Sequence, residues 1–400
     1  ARALKENIKN IIQYGKKFSD SKIIAVVKSN GYGLGLTFIS KLVIESGIDF
    51  LAVSKLQEAV SLRRNIAPDK DIRIMVFDTP MLHDLSTYAA NQIETIIPSS
   101  RDASSVDILA SWLKNKSRLF GSPLKTHIMI DTGMRRNGGY SHNLPASVLS
   151  TITALERLDK TQIQFAGLAT HLACYRCTDY KGEEIVNFRS LQLQRLQHVI
   201  TYLVSHGVHL PIIHIGGGLG LFAEQWPKEF QHLDIPLYTR VGHGIYGMER
   251  EKDLHPDCPK LHPVVEMNFQ VCNVFYVEEE EPVSYGGLWR APPGGAWIAT
   301  LAGGWAEGVP RTSHTLGEWE HGMMISINDC QYPVVGNINM NAMMVNLGLK
   351  TTVKVGDRGI IFGWRSHEPS LNDLAQLSGQ IGPSIMVNVP TSMPRIVVSE

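Results

Sequence analysis

IIAVVKSNGYGLG, residues 23–35, runs a β-branched apolar stretch into a lysine and then into a segment with glycine at 31, 33 and 35. The run IIAVVK (23–28) has the make-up of a strand buried on both faces, and the glycines that follow mark a turn. The same rhythm returns seven times: FLAVS (50–54), IRIMVF (72–77), ETII (94–97), THIMID (126–131), FAGLAT (165–170), IIHI (212–215) and LYTRV (237–241). Between the runs lie segments of helical spacing, such as LQEAVSLRR (56–64) and EIVNFRSLQLQRLQHVITYLVSHG (184–207), the second ending in Gly207 as a helix C-terminus does. Eight short strands alternating with helices predict a closed (β/α)8 barrel over residues 1–247, with its active site at the C-terminal ends of the strands.

Beyond residue 248 the rhythm changes to alternating strands and turns with few helices. EMNFQVCNVFYVE (266–278), AWIATLAGG (296–304), GMMISINDCQYPVV (322–335), MNAMMVNLG (340–348), DRGIIFG (357–363) and RIVVS (395–399) predict a mainly β second domain over 248–400. The length of 400 residues suits two cores rather than one, and 44% hydrophobic residues suit globular domains. Lys+Arg and Asp+Glu stand at 38 each, so no net field favours nucleic acid, a basic partner or a membrane surface; small-molecule chemistry is the expectation. No apolar run approaches the length of about 18 residues needed to span a bilayer, and no export signal is visible, so the expected location is cytoplasmic. Five cysteines (Cys174, Cys177, Cys258, Cys272, Cys330) suit reduced thiols; Cys174 and Cys177 form a C-x-x-C without a second pair at zinc-ribbon spacing, and no metal site is read.

The barrel reading requires polar and glycine-rich residues just after the strands. They are there: Lys28 to Gly35 after the first, Asp131 to Arg136 after the fifth, Thr170-His171 at the sixth, Gly216-Gly217-Gly218 after the seventh, and Arg240 to Tyr246 at the eighth. A lysine closing an apolar strand at a barrel mouth is either an ordinary strand-end lysine reaching to water or a desolvated amine, the side chain that forms Schiff bases. Open backbone at Gly31, Gly33 and Gly35 permits close approach of a ligand.

AVVKSNGYGLG (25–35) resembles the pyridoxal-lysine motif of alanine racemases, and the likeness continues in order along almost the whole chain. DTGMRRNGG (131–139), THLACYRCTDY (170–180), RVGHGIYG (240–247), VSYG (283–286), AGGWAEGVPR (302–311), VVGNINMNAMMVNLG (334–348), VGDRGIIFG (355–363) and SMPRIVV (392–398) carry it. The resemblance implies pyridoxal 5'-phosphate as cofactor, a small amino acid as substrate, and a homodimer in which the β domain of one subunit completes the site of the other. It makes Lys28 the Schiff-base lysine and the base for one face of the α-carbon. Tyr32 reaches the phosphate, with Tyr246 in the cofactor set, and His171 packs beside the pyridine ring. Gly216-Gly217-Gly218 stand where the family usually has a serine-containing segment, so they make a tight strand-to-helix turn, offer backbone N–H groups at Gly217 and Gly218 to the phosphate, or both. Arg136 holds the substrate carboxylate, Arg240 donates to the pyridine nitrogen, and Met340 lies beside the carboxylate. An always-charged guanidinium at that nitrogen keeps it unprotonated, which weakens the ring as an electron sink and suits reversible proton transfer. His214 and His243 are read as satisfied packing residues.

Racemisation needs acid–base groups on both faces of the α-carbon. The resemblance supplies the second from a tyrosine in a G-Y-x-D-G-x-P-R segment, and the aligned segment, Gly304 to Arg311, carries Trp305, whose indole has no acid–base capacity. Tyr285, Glu307 and His243 are the titratable candidates to take its place. Met129 stands where a lysine often orients the substrate arginine, and Asn341 where an aspartate is usual. Three readings stay open: an amino-acid racemase, a single-base enzyme that exchanges one α-proton or cleaves a β-hydroxy amino acid, and a non-catalytic pyridoxal-phosphate binder.

Overall fold

The computed structural model describes residues 1–18, 21–66, 71–115, 121–139, 143–173, 188–218, 234–248, 258–311 and 322–398. Cys174 and Cys177 lie outside the described residues. Eight parallel strands form the first unit: β1 (Lys22–Val26), β2 (Phe50–Val53), β3 (Arg73–Val76), β4 (Thr95–Pro98), β5 (Leu124–Ile130), β6 (Ile163–His171), β7 (Ile213–Gly216) and β8 (Leu237–Val241). Their order is β3-β2-β1-β8-β7-β6-β5-β4. The two ends of that sheet meet through Glu94, whose N–H donates to Ile74 O at 2.8 Å and whose carbonyl accepts from Val76 N–H at 3.1 Å. The sheet is thereby closed into a barrel, as the eight apolar runs predict.

Side chains alternate across each strand, so residues two apart share a face. Along β7 Ile213 and Ile215 belong to the main apolar core while His214 between them does not; along β5 the inward set is His127 and Met129. Barrel interiors are usually layers of branched apolar residues. This one instead buries Glu94, His127, His214 and Arg240.

The second unit is a closed antiparallel barrel. Its strands are β9 (Met267–Val277), β12 (Ala296–Leu301), β13 (Met324–Ile327), β14 (Cys330–Val335), β15 (Met343–Gly348) and β16 (Arg358–Phe362), ordered β12-β15-β14-β13-β16-β9. A two-stranded hairpin, β10 (Pro282–Val283) and β11 (Trp289–Arg290), stands apart from it.

Two features depart from the sequence reading. The C-terminal segment holds helices over Leu371–Leu377 and Gly382–Asn388, the first with a Ser370–Asp373 capping box that marks its start. The described part of RIVVS, residues 395–398, is not a strand: Ile396, Val397 and Val398 are exposed and unpaired among the described residues. The physical reason is Arg395, whose guanidinium donates to the carbonyls of Val389, Pro390, Met393 and Gly33 and folds the segment back on the loop after β1.

That return sets a demand on Gly33. Its φ is +85°, and a Cβ there would lie 2.3 Å from Met386 O. Gly47 has a similar φ of +89° but nothing within 4 Å. Alanine at Gly47 meets only the backbone penalty, roughly 1–3 kcal/mol, whereas alanine at Gly33 must also push the C-terminal segment away. Gly33→Ala is therefore expected to lower the denaturation midpoint clearly more than Gly47→Ala, and equal losses would contradict the close docking.

Candidate active site

The loop after β1 makes a left-handed turn. Ser29, Asn30, Gly31 and Tyr32 follow one another at φ of 55°, 56°, 62° and 54°. Each non-glycine residue in that region costs about 1–2 kcal/mol, so the surroundings must hold it. Asn30 N–H donates to Glu58 Oε1 at 2.8 Å, Leu36 N–H to Asn30 Oδ1 at 2.9 Å, and Gly35 N–H to Asn30 O at 2.8 Å. The turn leaves Lys28 half-buried at the mouth and swings Tyr32 inward. Burial, then the charge of Arg136, lowers the Lys28 amine from its ordinary value, against a smaller opposite pull from Glu58 and Asp78. A lowered amine pKa is what a nucleophilic or basic lysine needs.

Tyr32 packs against Tyr246 at 4.8 Å between ring centroids and edge-on to His243 at 5.6 Å. A Cβ at Gly242 would sit 2.3 Å from Tyr32 Oη, so glycine there lets the hydroxyl approach the turn after β8. Tyr246 is fully buried, and its hydroxyl has no hydrogen-bond partner among the described residues. An unsatisfied buried hydroxyl costs about 1–3 kcal/mol.

Arg240 is the most constrained side chain of the site. One terminal nitrogen, Nη1, donates to His214 Nδ1 at 2.7 Å and to His214 O at 3.0 Å; the other, Nη2, donates to Thr170 O at 2.7 Å and lies 3.4 Å from His171 Nδ1. Burial, then the charge of Arg136, pushes its pKa down to about 9, still well above neutrality, so it is a buried cation. His171 is pushed down to about 2 by burial and then by Arg240, and stays neutral. A Cβ at Gly216 would fall 2.5 Å from His171 Nδ1 and 2.8 Å from Arg240 Nη2, so that position must be glycine. Gly217 and Gly218 follow at φ of +139° and +91°, open backbone at the same mouth.

Arg136 is exposed beyond β5, and its charge reaches Lys28, His171 and Arg240. With Met129, Asp131, Met134, Asn137 and His171 it lines a small cleft. Lys28, Tyr32, Arg136, His171, Gly217, Gly218, Arg240 and Tyr246 thus all lie at one end of the barrel. Both nitrogens of His214 are bonded, as a packing residue requires, but one of them holds Arg240. His243 contacts Tyr32, and burial followed by Lys28 lowers its pKa.

The remaining three residues gather on the second unit. Tyr285, Met340 and Trp305 are 75%, 53% and 42% exposed. Trp305 N–H donates to Asn339 O and Ala306 N–H to Met340 O; Asn337 Nδ2 donates to Tyr285 O, and Ser284 Oγ to Asn337 O. Glu307 accepts from Gly304 N–H at 2.8 Å and Asn341 Nδ2 at 2.7 Å, so its carboxylate braces these loops instead of facing outward. The face therefore has a phenol, Tyr285, beside its indole. Among the described residues no three His, Cys, Asp or Glu side chains are grouped to hold a metal, and no helix is long and apolar enough to cross a membrane.

A family model for the alanine racemase N-terminal domain matches residues 1–250, and one for the alanine racemase C-terminal domain matches residues 264–397. The chain belongs to the alanine racemase family. It is 27% identical over 404 residues to alanine racemase of Treponema denticola, covering 99% of this chain and 96% of that one. To the Pasteurella multocida alanine racemase it is 29% identical over 402 residues, covering 99% and 95%. The fold is shared with the alanine racemase from D-cycloserine-producing Streptomyces lavendulae, at a TM-score of 0.81 and 22% identity over 100% of this chain and 95% of that one. It is shared too with the Bartonella henselae alanine racemase solved with covalently bound pyridoxal phosphate, at 0.79 and 20% over 99% and 97%.

The buried histidines of this family member set its acid limb. An unfolded histidine titrates near 6.5, and burial lowers both His127 and His214 in the folded chain. Below about 6.5 the unfolded chain therefore binds protons that the fold refuses, and stability falls as pH falls. Burial alone would raise Glu94, but hydrogen bonds from Arg73 and His127 outweigh it and hold the carboxyl at about 2, so its share is lost between about 4.5 and 2. The denaturation midpoint is expected to stay level from about pH 8 to 7 and then drop, each fully buried ring contributing up to ~1.4 kcal/mol per pH unit. A midpoint that rises between pH 6.5 and 5 contradicts the neutral assignment.

Proposed function

We propose that the chain is a pyridoxal-phosphate-dependent racemase of the alanine racemase type, an isomerase that interconverts the enantiomers of a small amino acid. The observation that carries this reading is the clamped, buried cation Arg240 at the same barrel mouth as the half-buried Lys28. Pyridoxal phosphate fits the residues present: Lys28 for the covalent link, the Tyr246 hydroxyl, without a partner among the described residues, with Tyr32 and the backbone at Gly217 and Gly218 for the phosphate, and His171 beside the ring. When bound, the cofactor supplies the conjugated ring that acidifies the α-proton of an attached amino acid.

The protein's own groups then decide the outcome. Arg240 would donate toward the ring nitrogen and, a cation at neutral pH, would leave that nitrogen unprotonated. The site is thereby tuned to return a proton quickly rather than to stabilise a lasting carbanion. Arg136, exposed at the mouth, binds the substrate carboxylate, with Met340 alongside. Lys28, its amine pKa lowered, moves the proton on one face of the α-carbon.

For the opposite face we assign Tyr285. It is the phenol among the three candidates; Glu307 is tied into its loop by two hydrogen bonds, and His243 packs on Tyr32 at the Lys28 side. Trp305 then forms part of the wall, and its indole is no obstacle to two-base chemistry. Tyr285, Leu288, Trp305 and Met340 stand out on the second unit, and the hydrogen bonds around them stay within that unit. This supports a homodimer in which they cover the barrel mouth of the partner subunit.

Protein loaded with pyridoxal phosphate and given L- or D-alanine in D2O is expected to drive both toward equal amounts of the enantiomers, with deuterium at the α-carbon. Exchange without inversion would leave one base at work and overturn the racemase reading. Tyr285→Phe should keep the visible band of lysine-linked cofactor and lose about 10²–10⁴-fold in kcat, the usual weight of a general acid–base group. Trp305→Phe should stay within about tenfold of the parent. Lys28→Ala should abolish the band, and a band that survives would sink the cofactor assignment.

A further inference from the structure

Behind Arg240 a hydrogen-bonded chain runs through the barrel interior. His214 Nε2 lies 3.1 Å from His127 Nδ1, and His127 Nε2 lies 2.8 Å from Glu94 Oε2. Glu94 accepts Arg73 Nε at 2.7 Å and Nη2 at 2.8 Å; Arg73 caps the far end, its guanidinium 3.9 Å from the centre of the Phe50 ring. His127 and His214 have no exposed surface, and Glu94 is 3% exposed. None of these partners beyond His214 touches the groups assigned to cofactor or substrate.

The chain has only one consistent polarity. Glu94, a carboxylate, only accepts, so His127 must carry its proton on Nε2 and present a lone pair at Nδ1. His214 must then carry its proton on Nε2 and present Nδ1 as an acceptor. That acceptor meets Arg240 Nη1, which can only donate. Protonating either ring would add a cation between Arg240 and Arg73 without water to solvate it. Every link points from Arg240 toward the carboxylate.

We propose that Glu94 is a positioning residue for Arg240: through His127 and His214 it fixes the acceptor that aims the guanidinium at the cofactor. This rests on Arg240 facing the ring nitrogen, but the arrangement of protons in the chain exists with or without cofactor. Replacing the carboxylate by an amide would reverse it. In Glu94→Gln the single amide oxygen turns to Arg73, and the NH2 turns to His127. His127 Nε2 must then accept, both rings move their protons to Nδ1, and an N–H of His214 opposes the N–H of Arg240.

The test is nitrogen NMR on the full chain with 15N-labelled histidine, recorded with and without pyridoxal phosphate from about pH 6 to about pH 9, the range in which histidine ordinarily titrates. In the parent protein both rings are expected to be neutral with the proton on Nε2 throughout. An imidazolium, or a proton on Nδ1, at either ring overturns the proposal without any variant being made. In Glu94→Gln the His214 resonances are expected to switch to the Nδ1–H pattern although that ring is two links from the substitution, and kcat to fall about tenfold with KM within about twofold. Unchanged His214 resonances in that variant also overturn it, since a purely structural Glu94 would leave them alone. Failure of the Lys28→Ala colour test would remove the cofactor while leaving the proton arrangement to be judged by these resonances.

Discussion

A guanidinium buried at the mouth of the first barrel is the constraint on which the rest of the site depends. Taking a cation out of water costs several kcal/mol unless its donors are matched. Arg240 is matched on two nitrogens by His214 and the Thr170 carbonyl. The match dictates its surroundings: glycine at 216 so that ring and guanidinium can approach, a neutral His171 beside it, and an interior that carries a polar chain where a barrel of this class usually carries branched aliphatics. A second cation, Arg73, pairs directly with Glu94 at the far end of that chain, so one carboxylate lies between two cations, next to Arg73 and two neutral rings away from Arg240.

The loop after β1 shows a second form of the same economy. Its left-handed turn is a local strain held by Glu58, Asn30's own side chain and the returning C-terminal segment. Strained backbone that neighbours over-determine is characteristic of sites that must present one atom in one place. Here that atom is Lys28 Nζ, left half-buried with its amine weakened by burial and by Arg136. The second unit carries an exposed face of Tyr285, Leu288, Trp305 and Met340, braced from behind by Glu307 and Asn337.

Much of this is written in the order of residues. Each of the eight parallel strands overlaps an apolar run, because strands buried on both faces leave an uninterrupted aliphatic signal, and the residues just after them are those gathered at the mouth. What could not be read is set by contacts between distant strands. Nothing near Glu94, His127 or His214 in the chain tells that β4, β5 and β7 align them into one chain with Arg240; each looks like an isolated polar residue in an apolar run. RIVVS has the composition of a strand and is none, because Arg395 is taken by four carbonyls. Glycine spacing announces a turn after Lys28, but that Ser29, Asn30 and Tyr32 share its left-handed conformation depends on Glu58, more than twenty residues on. The sequence names Tyr285, Glu307 and His243 as candidates for the second base but cannot choose among them; the fold sets Tyr285 on the same exposed face as Trp305 and ties Glu307 into its loop.

The central claim is that Arg240 faces the cofactor's ring nitrogen as a donor and keeps it unprotonated. The direct measurement is the nitrogen NMR shift of 15N-labelled pyridoxal phosphate bound to the protein near neutral pH. The account predicts the shift of an unprotonated, hydrogen-bonded pyridine nitrogen, unchanged between about pH 6 and about pH 7.5, where the Arg240 donor keeps its proton. A pyridinium shift in that range would contradict it.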